Sequence, residues 1–111
     1  MQDTPKVIKR LVRQWAETAY DRELSKALLE LREQFDRWQR AEISAFELTE
    51  LIHRFHDGDS RDLWKKYATN QLEPALGVAV AAGVVRREEL PPNLLQHLAS
   101  VIEFYQPEKS T

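Results

Sequence analysis

The sequence predicts an all-α fold of four to five helices in a single domain over residues 1–111, with one long N-terminal helix packed by a shorter helical cluster. Three observations point there. Residues 6–39 contain no glycine or proline and are filled largely with Leu, Ala, Glu, Arg, Lys and Gln, which lose little on entering a helix. The chain has only three glycines, and its one Asp-Gly, Asp57-Gly58, lies between helical periodicities instead of strand alternation. Helix start and stop signals recur along the remainder. At 111 residues the chain can bury one core but not two.

The first helix is expected over 5–39, with Thr4 as its cap and Pro5 at the first helical position. At 1.5 Å per residue such a helix is about 50 Å long. Its apolar face changes along the way. Val7, Ile8, Leu11, Val12, Trp15 and Ala19 cover a wide arc, whereas Leu24, Leu28, Leu31, Phe35 and Trp38 form a narrower stripe, rotated by more than a quarter-turn. The two halves must therefore meet different neighbours.

Ala41-Glu42-Ile43 is the connection, and Ser44 with Glu47 reads as a capping box opening a helix over 45–57. Leu48, Leu51, Ile52 and Phe55 form its buried stripe, and Gly58 is expected to take the left-handed conformation after its end. Asp59 and Asp62 would then cap a helix over 60–69, packed through Leu63, Trp64 and Tyr67. Pro74 restarts the pattern for a helix over 74–83, in which Ala75, Ala79 and Gly83 share one face and allow close approach of a neighbour. Pro91-Pro92 opens a last helix over 92–105, with Leu94, Leu95, Leu98, Val101, Ile102 and Tyr105 on its stripe. Pro107 is expected to end it and residues 106–111 to form a loose tail.

Composition narrows function more by exclusion than by indication. Without cysteine there is no disulfide, thiolate metal site or cysteine nucleophile. The N-terminal MQDTPKVIKRLVRQW lacks the apolar run of a signal peptide. The longest apolar run, Ala75 to Val85, has about 11 residues against the roughly 20 that span a membrane. A cytoplasmic protein is the expectation. A net charge of −2 speaks against a dedicated nucleic-acid binder.

Chemistry-bearing residues concentrate in LIHRFHDGDSRDLW, residues 51–64. Glu50-x-x-His53 has the carboxylate–histidine spacing of di-iron bundles, but those need the motif twice, facing a core. Here there is one copy, and Glu50, His53 and Asp57 fall on the solvent side of the wheel, with His56 at the edge of the buried stripe. The string Asp57–Asp62 fails as a calcium loop because Arg61 takes a ligand position and no twelfth-position glutamate follows. A helix junction explains Gly58, Asp59 and Asp62, so Glu50, His53, His56 and Asp57 stand as a weak metal or catalytic alternative. No cofactor and no catalytic residue is assigned. His97 is expected at the edge of the last helix's stripe.

The stretches SAFELTELIHRFHDGDSRDLWKKY, Gly77 to Val85, and EELPPNLLQHL with IEFY resemble a small family of uncharacterised bacterial all-helical proteins over Glu23 to Tyr105. The most specific part is Phe46-Glu47-Leu48, Ile52-His53 and Phe55-His56-Asp57-Gly58. The resemblance implies a helical fold and a bacterial origin, and brings no catalytic residues with it.

Lys6, Lys9, Arg10 and Arg13 make a basic face at the start of the long helix, where positive charge opposes the helix dipole. A compact domain of this size is roughly 35 Å wide, so a helix of about 50 Å overshoots it. The expectation is a non-enzymatic interaction protein, a small regulatory or adaptor module, that forms a homodimer through the long helix. Its interface candidates are Val12, Trp15, Leu24, Leu28, Leu31, Phe35 and Trp38. Antiparallel pairing would bring the basic start of one helix toward Glu30, Glu33 or Asp36 of the other. A nucleic-acid accessory role using the basic face is the weakest alternative.

Overall fold

A computed structural model describes residues 4–106. It contains five α-helices: α1 (Lys6–Gln39), α2 (Ala45–Phe55), α3 (Arg61–Tyr67), α4 (Leu72–Ala81) and α5 (Pro92–Tyr105). A π-helical turn, His56–Ser60, joins α2 to α3 without a break, and a 3₁₀ turn, Arg87–Glu89, precedes α5. The described residues form no strand. The expected tail and its Pro107 stop lie outside the described residues.

The two halves of α1 do meet different neighbours. Ile8, Val12, Ala16 and Ala19 are buried in the main core, with Leu11, Trp15 and Tyr20 packed against it. The opposing side chains are Leu76, Ala79, Val80, Leu94, Leu98 and Ile102, from α4 and α5. Val7, expected on this arc, is instead 53% exposed. Beyond residue 23 α1 is followed by α2 and, at its base, the π turn, and this two-helix hairpin carries the molecule to 58 × 36 × 19 Å. The radius of gyration is 17.7 Å, whereas a compact chain of this length would have about 13 Å.

Two helices end by the same device with different residues. After α4, the Gly83 and Val84 amides donate to the carbonyls of Val80 and Ala79, with Gly83 at φ 81°. After α1, the Ala41 and Glu42 amides donate to Trp38 and Arg37 in the same pattern, and Ala41 holds φ 61°. Both are Schellman ends, but a Cβ in the left-handed region costs about 1–2 kcal/mol.

Gly58 departs from expectation. It has no positive φ and lies inside the π turn, so α2 does not stop at 57. The capping roles assigned to Asp59 and Asp62 disappear with that stop: no side-chain cap opens α3. The physical reason is phase. At 3.6 residues per turn Leu63 would lie about 80° around the helix from Phe55. A turn with i→i+5 bonding absorbs more residues and brings Leu63 and Tyr67 back to the side facing α1. Trp64, expected in that packing, is 57% exposed.

The close approach of α4 also differs in detail. Ala75 and Ala79 are buried as expected, but Gly83 is the exposed stop. The glycine that lets α5 approach is Gly77, where an added Cβ would collide with Val101 Cγ1.

These positions give a graded test by urea denaturation. Gly77→Ala should destabilise by about 1–3 kcal/mol through overpacking. Ala41→Gly should stabilise, and Gly83→Ala destabilise, each by about 1 kcal/mol. Gly58→Ala meets nothing within 4 Å and should raise stability by up to about 1 kcal/mol, as in any helix interior.

Candidate functional site

The distal hairpin is opened by a true capping box. Glu47 N–H donates to Ser44 Oγ at 3.0 Å, and Ser44 N–H donates to Glu47 Oε1 at 3.3 Å. Ile43 and Leu48 are its only buried apolar side chains among the described residues, at 8% and 5% exposure, and neither belongs to the main core cluster. Between α1 and α2 runs an open groove of about 870 Å³. Ala27, Leu31, Ile43, Leu51 and Phe55 supply its apolar lining, with Glu30, Gln34, Arg37, Glu47, Glu50, Arg54 and Asp59 also on its walls. Phe46 stands at the groove and is 88% exposed.

The expected interface residues separate into two groups. Val12 is 4% exposed and Trp15 packs on the main core, so both serve this chain's own interior. Leu24 and Leu31 are half-buried, while Leu28, Phe35 and Trp38 are exposed at 46%, 39% and 43%. With Phe46 and Ile52, the exposed three leave the hairpin with large apolar side chains that no other described residue covers. Phe46 is the residue that sequence reasoning missed. Its signal was present, since it lies two residues before Leu48 and thus nearly opposite it on the helix.

The weak metal alternative finds no constellation. Glu50 accepts from Arg54 Nε at 3.3 Å, and His53, His56 and Asp57 are exposed. Among the described residues no three His, Asp or Glu side chains come together to hold a metal ion. His97 sits at the edge of its stripe and meets Glu73 Oε1 at 3.0 Å. Lys6, Lys9, Arg10 and Arg13 are exposed, and none of them forms an ion pair among the described residues. Lys9 and Arg13 edge a second hollow of about 420 Å³ beside Asn70–Pro74.

Two clasps at the middle of α1 fix where the hairpin leaves the core. Lys66 Nζ donates to both oxygens of Glu23, at 3.2 and 3.1 Å. The Tyr67 hydroxyl donates to the same carboxylate while its ring stacks on Tyr20 with centroids 5.0 Å apart. Burial, with the Glu23 carboxylate, pushes the Tyr67 phenol well above its ordinary range. On the other side Arg22 forks onto Glu89 at 2.8 and 2.6 Å and donates to the Val84 carbonyl at 3.0 Å.

No family model, curated protein or solved structure matches the chain. Among the described residues no helix is long and apolar enough to cross a membrane.

The Arg22 fork, aided by the Arg86 backbone N–H at 2.8 Å, holds the Glu89 carboxyl down at about 2, from the ordinary 4.5. A depressed carboxylate stabilises the fold above its unfolded pKa and loses that contribution as pH falls through the folded value. Stability should therefore decline between about pH 4.5 and pH 2, and Glu89→Gln should flatten that limb of a urea-midpoint profile. An unchanged acid limb in the variant would show that the fork contributes nothing.

Proposed function

We propose that this chain is a non-enzymatic interaction module that pairs with a second copy through its distal hairpin, in the manner of a small regulatory or adaptor protein. The observation that carries the reading is the hairpin's set of exposed large apolar side chains, Leu28, Phe35 and Trp38 of α1 and Phe46 and Ile52 of α2. Soluble monomers seldom leave so many large apolar side chains on one small subregion in water. A twofold pair gives each hairpin the same face to pack on. Because Val12 and its neighbours already fill the core, the overlap between copies falls on the distal half of α1.

The competing readings have less behind them. A catalytic or metal role for Glu50, His53, His56 and Asp57 lacks convergent geometry. A nucleic-acid role for Lys6, Lys9, Arg10 and Arg13 rests on exposed cations in a chain of net charge −2. The resemblance over residues 23–105 adds no chemistry. A cytoplasmic setting and a bacterial origin belong to the same proposal.

Light scattering across micromolar concentrations should give twice the 13.0 kDa chain mass. Phe35→Glu, at a side chain the fold itself does not need buried, should return the mass to that of one chain while leaving a single cooperative melting transition. A wild type that stays at 13.0 kDa throughout would refute pairing.

A further inference from the structure

The buried side chains of this chain fall into two separate sets, and the polar contacts divide along the same line. The core cluster takes no side chain from residues 21–62. Within that span only Ile43 and Leu48 are buried, with Leu31, Leu51 and Phe55 half-buried. Among the described residues, no side-chain hydrogen bond or ion pair joins residues 27–55 to any residue outside them. Arg37, Arg40 and Arg54 all pair within the span.

Arg22 and Glu23 stand just outside it and reach the other way. Arg22 is bound to Glu89 and to the Val84 carbonyl. Glu23 is bound to Lys66 and to Tyr67, itself a member of the core cluster. Both clasps therefore belong to the core and mark its edge. The boundary beyond them is crossed by two runs of helical backbone, in α1 and in the π turn.

We propose that residues 27–55 are a separate cooperative unit, which opens and re-closes while the core, fastened at Arg22 and Glu23, stays folded. Such units follow contiguous clusters of packing. Opening is a loss of order instead of a rigid swing, because α2 has 11 residues and a helix that short does not persist in water without packing. Closing fixes Ala41 at φ 61°, a left-handed conformation that disfavours the closed state relative to the open chain. The inference does not rest on self-association.

The test is amide hydrogen exchange on the full chain in low, non-denaturing urea, with two variants that each remove one methylene from a buried isoleucine. Ile43 is 8% exposed in the hairpin and Ile102 1% exposed in the core. In the wild type, amides of residues 31–39 and 48–54 should exchange through one shared opening. That opening should be easier than the one exposing residues 76–80 and 98–102, and less dependent on urea. Ile102→Val destabilises the closed and hairpin-open states alike. Exchange should then quicken in the core by about 2- to 10-fold and stay unchanged in the hairpin. Ile43→Val destabilises only the closed state, from which both openings start, so hairpin and core should quicken by the same factor. Glu23→Gln should act like Ile102→Val, since the clasp persists when the hairpin is open. A hairpin that quickens together with the core in Ile102→Val would overturn the proposal, leaving one cooperative unit. A hairpin that quickens in Glu23→Gln but not in Ile102→Val would overturn the boundary at the clasps.

Discussion

One mismatch of length governs this molecule: α1 has 34 residues, and the core covers only its first half. A single rigid rod of about 50 Å cannot fold back to shorten itself, and no glycine or proline interrupts it between residues 6 and 39. Everything that follows in the chain is disposed along that rod. The helices α4 and α5, with Gly77 permitting their close approach, make a dense core with Ile8, Val12, Ala16 and Ala19. The continuous stretch from α2 through α3 must then serve both regions, lying on the core at one end and on the bare half of α1 at the other.

That double duty explains the π turn. A stop at Gly58 would have let α2 and α3 orient independently. Instead the chain keeps one axis and corrects its phase within five residues, so that Leu48 near the tip and Tyr67 near the core both face α1. The Glu23–Lys66–Tyr67 clasp lies where this rod meets the core, and the Arg22–Glu89 fork holds the same level of α1 to the turn before α5. Both act at mid-rod. The departure point of the hairpin is therefore held from two sides.

How much of this the sequence discloses depends on what kind of physics sets each feature. The long helix, the Ser44 box, the Gly83 stop and the Pro91-Pro92 start are local, because a few neighbouring residues decide them. The 51–64 stretch looked local too, yet its glycine and aspartates are compatible with a stop without requiring one, and tertiary phase decided against it. Ala41 erred in the opposite direction: alanine carries no turn signature, so its left-handed conformation follows from the Schellman bonds and the need to bring Ile43 inward. The stripe Leu24–Trp38 was legible as a stripe. That Phe46 stands beside a groove was not, since the groove exists only where two helices separated in sequence diverge.

The hairpin's own cohesion is slight, and this bears on what it is for. Its ion pairs, Arg54–Glu50, Arg37–Glu42 and Arg40–Glu42, join side chains at least 43% exposed, where such pairs contribute about 0–1 kcal/mol each. Its buried apolar side chains are few beside those of the core, and its tip turns on a strained alanine. Local stability must therefore fall along α1 from the core toward residue 40, as it does wherever apolar contacts thin out. A surface that binds in its ordered form gains stability by mass action when occupied. The weakest end of the fold is also the end with most apolar area still to bury. Whatever packed on the hairpin in its ordered form would therefore stabilise the end of the fold that has least cohesion of its own, while the clasps hold the departure point at mid-rod.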